Sequence, residues 1–259
     1  MNATLTVLGS GTSMGVPTIG CDCLVCTSTD PHDRRTRPSV MIEWDGHRVL
    51  IDTTPDFREQ ALREGINRID AVLYTHGHAD HILGLDDLRP LSFPRVTGGG
   101  KLPLYANHQT QRVLRSVFKY VFDADYKYGG LAQVELLDID STIEVCGKQF
   151  TPVVVLHGDN EIFGYRFGSA AYLTDFSVVP EQSLSALQGL DILFLDALRY
   201  KPHPTHSTIE KSLRIVERLK PQRTFFTHIA HDLPHEETNR ALPDNVRLAY
   251  DGLRLEFEL

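Results

Sequence analysis

Four residues able to bind metal fall within the short run Thr75-His76-Gly77-His78-Ala79-Asp80-His81. Imidazole and carboxylate donors of this kind suit zinc, manganese or iron. The run lacks the i, i+4 histidine pair of a helical zinc protease, and its four side chains cannot share one helix face. It follows the apolar run 71–74 and reads as a loop leaving a strand. Such a loop lets His76 and His78 point to one place, while Asp80 and His81 open the next helix and face a second place a few ångströms on. That arrangement suits two ions rather than one. Two divalent ions ~3.5–4 Å apart share a water and lower its pKa from ~15.7 toward neutrality, which is hydrolytic chemistry.

Further ligand types stand at the downstream ends of other apolar runs: Asp52 after 49–51, His157 after 153–156, Asp175 after 172–174 and His228 after 225–227. Loops at strand ends converge on one rim, which is where α/β folds place ligand sites. Cys21, Cys23 and Cys26 form a separate C-x-C-x₂-C cluster, and Cys146 lies far from it. Three thiolates need one more donor to close a tetrahedral zinc site, and His231, three residues beyond His228, is the natural fourth. A transient disulfide is the alternative, disfavoured in a reducing compartment.

The elements that must position these groups are legible as short β-rich runs at 4–8, 40–43, 48–51, 71–74, 151–156, 170–173, 192–195 and 223–226. Helical spacing occupies 56–64, 109–122 and 209–219. Asp45-Gly46 and Cys146-Gly147 sit between strand-like runs and read as hairpin turns, so much of the sheet is expected to be antiparallel. The expected class is α/β, with two packed mixed sheets flanked by helices in one domain spanning 1–259. Ser207 and Glu210 spell a capping box opening the helix at 209, which places His206 at that helix's N-terminus facing the rim. Cys146 reads as structural, and His32, His47, His108 and His235 as surface or core histidines. The glycine-rich stretch 94–101 reads as an exposed connection, with a lid as the lesser alternative.

The chain has 259 residues, 41% hydrophobic and 23% charged, with 26 basic against 34 acidic residues and a formal charge of −8. Those proportions exclude disordered and fibrous classes. They also leave no broad basic face for long nucleic acid, so an anionic substrate must meet a local positive charge. No run approaches the ~18 apolar residues of a membrane helix, and the start lacks a signal-peptide pattern, so a cytoplasmic location is expected. A homodimer is the generic expectation for an enzyme of this size.

The ordered set of Asp52, the 76–81 loop, His157, Asp175 and His228 resembles the metallo-β-lactamase-fold hydrolases. The resemblance spans nearly the whole chain. It implies a four-layer αβ/βα sandwich, one metal held by His76, His78 and His157, another by Asp80, His81 and His228, and Asp175 bridging them. It also implies that Asp52 supports the histidine loop without touching metal, as groups behind a ligand do.

His206-Ser207-Thr208 is similar to the HxT element of tRNase Z and its relatives among cyclic phosphodiesterases. That likeness makes His206 the general acid, with His203 the alternative, and places the metal-bound Asp80 with it among the candidate catalytic residues. The thiol cluster with His231 resembles the phosphoribosyl cyclic phosphate phosphodiesterase branch, where it holds one structural zinc. Gly9-Ser10-Gly11-Thr12-Ser13-Met14-Gly15-Val16-Pro17 looks like the family's N-terminal loop, whose glycines are expected to let the backbone approach the ligand site. Residues 52–60 are also similar to pyrroloquinoline quinone biosynthesis protein B.

The expected function is therefore a dinuclear metal-dependent hydrolase, a phosphodiesterase acting on a small or cyclic phosphodiester. Its cofactors would be two zinc, manganese or iron ions and one structural zinc. The alternatives are a cofactor-biosynthesis tailoring enzyme and a non-catalytic metal-binding module. Arg34, Arg35, Arg37, Arg199 and Lys201 are candidates to clamp a phosphate, although most read as solvating a face.

Overall fold

The computed structural model describes residues 1–123, 125–126 and 129–259. Among these, strands β1 (Asn2–Gly9), β2 (Ser39–Trp44), β3 (His47–Ile51), β4 (Ala71–Leu73), β5 (Leu102–Ala106) and β6 (Val134–Asp138) build one sheet. A second sheet takes β7 (Ile143–Val145), β8 (Lys148–His157), β9 (Asn160–Phe167), β10 (Ala170–Leu173), β11 (Ile192–Asp196), β12 (Arg223–Thr227) and β13 (Val246–Leu248). The final strand, β14 (Arg254–Glu258), returns to the first sheet and pairs antiparallel with β1. Helices α1 (Phe57–Glu64), α2 (Ala79–Ile82), α3 (Pro94–Thr97), α4 (His108–Val117) and α5 (Lys119–Phe122) come with the first sheet, and α6 (Glu181–Ser185), α7 (Ile209–Leu219) and α8 (His235–Ala241) with the second.

Each sheet is antiparallel in one half and parallel in the other. β1, β2 and β3 pair antiparallel, then β3 to β6 run parallel. β7 to β10 pair antiparallel, then β10 to β13 run parallel. Antiparallel neighbours need only a tight turn, whereas parallel ones need a crossover, and helices such as α1 and α7 fill those crossovers. Both expected hairpins are present. Their central residues, Asp45 with Gly46 and Cys146 with Gly147, all have positive φ (45°, 80°, 48° and 76°), the pairing that matches strand twist.

The alternation of side chains along each strand produces three apolar layers. Between the sheets lie Leu5, Val40, Val49 and Ile51 against Phe150, Tyr165, Tyr172 and Phe194. The opposite face of the first sheet, with Leu50 and Val72, packs on Phe57, Leu88 and Leu114 of its helical layer. The second sheet does the same with Leu193 and Phe226 on Ile209 and Val216 of α7. This is the αβ/βα sandwich with helices outside and two sheets within.

Residues 94–101 form the short turn α3 and an exposed glycine turn that leads into the start of β5, the exposed connection expected from the sequence. One sequence expectation changes here. The glycines of the 9–15 loop make room for chain rather than for a ligand. A Cβ on Gly9 would overlap the Arg37 carbonyl oxygen, and one on Gly11 would lie 2.7 Å from that of Arg35. The loop still serves the rim, because Thr12 N donates to Ile229 O at 3.1 Å, directly beside His228.

Gly11→Ala is expected to destabilise the fold by about 1–3 kcal/mol through this overlap, lowering Tm by on the order of 2–4 °C for each kcal/mol. Circular dichroism melting checks it; an unchanged Tm would show that the close approach relaxes without cost.

Candidate active site

Every candidate ligand stands at the end of a strand or in the loop and short helix that follow it. His157 closes β8, His76 and His78 leave β4, and Asp80 and His81 lie in the first turn of α2. Asp52, Asp175 and His228 follow β3, β10 and β12, and all three take left-handed backbone angles, φ 66°, 56° and 58°. For residues other than glycine such angles cost roughly 1–3 kcal/mol each and persist only where the surroundings hold them. Here the sharp turn swings each side chain toward the seam between the sheets.

Two clusters result, and they share one residue. His76, His78, His157 and Asp175 offer ligand atoms within 4.8 Å of one another, and so do Asp80, His81, Asp175 and His228. His81 Nε2 lies 3.3 Å from Asp80 Oδ2 and 3.3 Å from Asp175 Oδ1, while His228 Nε2 lies 3.3 Å from Asp175 Oδ1 and 3.6 Å from Asp80 Oδ2. Donors ~2.0–2.1 Å from one tetrahedral ion would be ~3.3–3.4 Å apart. Asp175 turns its other oxygen, Oδ2, toward His76 Nε2 at 3.8 Å. One carboxylate thus offers an oxygen to each cluster.

Asp52 orients ligands of both clusters from behind. Its Oδ2 accepts from His81 Nδ1 at 2.7 Å and from Thr75 Oγ1 at 2.8 Å, and its Oδ1 accepts from Thr75 N at 2.8 Å. Thr75 Oγ1 in turn accepts from His76 Nδ1 at 3.0 Å. His157 Nδ1 donates to Thr205 O at 2.9 Å. With these bonds made, the buried Nε2 atoms of His76 and His81 have no hydrogen-bond partner, and neither ring nitrogen of His228 has one. Buried polar atoms are seldom left so, and divalent ions are the partners these donor sets fit.

The electrostatics agree. Burial lowers His76, His78 and His157, which keeps them neutral, the form that ligates. Burial also opposes charge on His81 and His228, yet Asp175 with Asp80 and its neighbours outweighs it, raising His81 well above its usual value and His228 to about 9. Asp80 is depressed: His81 and His228 overcome its burial. This half of the site is a field that favours positive charge.

Beside the clusters the His206 ring stacks on His228, centroids 4.6 Å apart and planes 11° apart, and its Nδ1 lies 2.8 Å from Oδ2 of the fully buried Asp196. Burial, followed by His228, pushes His206 down to about 4, and burial pushes Asp196 well above the carboxylate range. His203 lies 5.0 Å from His206 between centroids, and its Nδ1 is 3.3 Å from Thr205 Oγ1.

Residues 47–229 match the family model described as the beta-lactamase superfamily domain. The chain belongs to that superfamily. A solved structure described as "a New Diphosphatase from the PhnP Family" is 69% identical, with a TM-score of 0.95, covering 100% of this chain and 98% of that one. A protein of Porphyromonas gingivalis named octanoyltransferase is 40% identical over 252 residues, 95% of this chain but 50% of the relative. Coenzyme PQQ synthesis protein B of Xanthomonas euvesicatoria is 33% identical over 165 residues, 58% of this chain and 50% of the relative. The chain spans about half the length of the curated relatives it matches. Superfamily membership and the likeness to the diphosphatase are the findings on which a reading as a metal-dependent hydrolase rests.

A second donor set lies behind the superfamily site. Cys21, Cys23 and Cys26 place their Sγ atoms 3.2, 3.4 and 3.4 Å from His231 Nδ1. Bonds of ~2.3 Å to sulfur and ~2.0 Å to nitrogen on one tetrahedral ion would give ~3.5 Å. The backbone N–H of Cys26 chiefly draws the Cys23 thiol down to about 6, and burial pushes Cys26 up to about 11.

Three groups depart from the sequence reading. Arg35 neither clamps phosphate nor solvates a face: it is buried and donates to Asp33, Ala230 O and Leu233 O, so it is a strut under the 229–233 loop. Arg37 is engaged by Asp56 and Ser13 O. The cap of α7 is Thr208, whose Oγ1 accepts from Lys211 N at 3.3 Å, rather than Ser207, whose hydroxyl pairs with Ser212 Oγ at 2.7 Å in the interior. Asp196 and the Thr205 carbonyl gained their roles only through the fold.

Asp52→Asn is expected to weaken divalent-metal affinity about 10–100-fold, because His81 loses a charged acceptor and Thr75 a partner. Competition with a chelator of known affinity measures it, and undiminished affinity would remove Asp52 from the orienting role.

Proposed function

We propose that this chain is a dinuclear metal-dependent phosphodiesterase. Its substrate is small and anionic: a cyclic phosphodiester, or the P–O–P link of a diphosphate diester, in which each phosphorus also carries two bridging oxygens. The observation that carries the reading is Asp175, with Oδ1 at 3.3 Å from the nitrogens of one cluster and Oδ2 directed to the other. The PhnP-family neighbour, described as a diphosphatase, supports the phosphorus chemistry.

The residues assigned to one ion are His76, His78, His157 and Asp175, and to the other Asp80, His81, Asp175 and His228. When bound, such a pair polarises phosphoryl oxygens and supplies an activated water at neutral pH. Asp80 and Asp175 offset the ions' charge, and Asp52 holds His76 and His81 in register. Water adds across one P–O bond: its oxygen joins phosphorus, and the bridging oxygen leaves with a proton.

His206 is the source of that proton. A single proton on the line between its Nδ1 and Asp196 Oδ2, on either atom, leaves the other ring proton on Nε2. After Nε2 gives it up, the remaining proton rests on Nδ1 beside an ionised Asp196; the proton lost by the attacking water goes to solvent, from which Nε2 is recharged. Among the described residues His203 has no comparable carboxylate partner, its Nδ1 lying 3.3 Å from Thr205 Oγ1, which favours His206. A cyclic substrate yields one phosphomonoester, and a diphosphate diester yields two. The formal charge of −8 fits a small substrate better than a long nucleic acid.

The PQQ synthesis protein B relatives favour a second reading, a tailoring enzyme of cofactor biosynthesis. Turnover that requires dioxygen, with no phosphodiester cleavage, would select it.

His206→Ala is expected to cut kcat on a chromogenic phosphodiester by about 10²–10⁴-fold while elemental analysis of the same sample shows its metals retained. Full activity would overturn the acid assignment. Cys26→Ser is expected to cost one zinc per chain and to lower Tm, since a structural zinc contributes folding free energy. Unchanged zinc content would remove the thiol cluster from the metal sites.

A further inference from the structure

Beside the strut Arg35, whose Nε donates to His32 O at 3.1 Å, three side chains that the hydrolytic reading does not use come together. We propose that His32, His235 and Glu236 form an additional binding site for a borderline divalent ion of the zinc or cobalt kind. Each offers one donor atom, and the three lie within 4.8 Å of one another, the same proximity that defines the two catalytic clusters. His32 comes from the turn just after the thiol cluster, and His235 and Glu236 from the start of α8, just after His231.

His235 makes the case. It is only 4% exposed, and its Nδ1 is buried with no hydrogen-bond partner. Its ring sits 4.6 Å from that of His32 and 5.7 Å from that of Tyr250 between centroids, and its backbone N donates to Asp33 Oδ1 at 2.9 Å. A ring kept only for packing would not need a nitrogen, and buried polar atoms ordinarily find partners. His32 keeps its Nδ1 3.5 Å from Asp30 Oδ1, the carboxylate-behind-histidine arrangement that orients metal ligands.

A cleft of about 490 Å³ adjoins the cluster, lined by Asp30, Asp33, Glu236 and Glu237. It gives an ion an entry path and room for water to complete its coordination. Asp33 is paired with the buried Arg35 at 2.9 Å, which leaves Asp30, Glu236 and Glu237 in the cleft facing Arg240. Two imidazoles and one carboxylate select zinc, cobalt or nickel over magnesium and calcium, which prefer all-oxygen shells. Bound there, the ion would join the same two stretches of chain that the thiol cluster joins, one after Cys26 and one after His231. The proposal stands independently of the substrate assignment.

The test is a titration of the gel-filtered, metal-loaded enzyme with Co²⁺, followed by absorption and by elemental analysis, on wild type, Glu236→Gln, His32→Gln and His235→Gln. Wild type is expected to take up one saturable equivalent whose visible bands lack thiolate-to-cobalt charge transfer. Glu236→Gln and His32→Gln, both at accessible positions, should weaken that equivalent at least ~10-fold, and His235→Gln should remove it, with hydrolytic turnover unchanged in each. No saturable equivalent, uptake by thiolate ligands, or an equivalent indifferent to both Glu236→Gln and His32→Gln would overturn the site.

Discussion

A carboxylate buried where water cannot reach it needs compensating charge, and Asp175 is such a group at the centre of this protein. It is 2% exposed and faces three nitrogens from two strand ends, with Asp80 in the same cluster. Removing ionised groups from water is expensive unless each is paired. The seam between the sheets answers this by supplying imidazoles from one side and a place for cations on the other. The left-handed angles at Asp52, Asp175 and His228 belong to the same arrangement, because at those three positions a sharp turn carries the side chain from the strand's end toward the cluster.

What surrounds the ligands is organised in depth. Thr75 relays between His76 and Asp52, so a single carboxylate behind the loop sets the direction of rings belonging to both clusters. His228 has no such relay; its ring is held by its backbone angle and by the face of His206. His206 thereby supports the ring of His228, besides the acid role proposed for it.

The clustering of the candidate ligands was legible in the sequence because chemistry and position coincide there: a histidine or aspartate closing an apolar run puts a donor at the rim. Strands and the outer helices were legible for the same reason, since Val49, Leu50 and Ile51 alternate between two layers and Ile209 to Leu219 repeat at helical spacing. Roles made by backbone atoms were not. Nothing in a sequence marks the Thr205 carbonyl as the group that fixes His157, or Leu233 O as an acceptor for a buried arginine. Adjacent hydroxyls misled at α7, where Ser207 and Thr208 are both capable caps and only the interior contact with Ser212 decides between them. The glycine loop was placed at the correct rim but for the wrong reason: the close neighbour is a strand of chain at 35–37, which no local pattern could announce.

The pairing of β14 with β1 brings the two ends of the chain side by side, with Leu259 N donating to Met1 O at 3.0 Å. Strand β1 starts there and runs its full length before reaching the glycine turn that abuts the neighbour of His228. Anything joined to either end would hang from this one edge of the first sheet, at the opposite end of β1 from the turn beside His228.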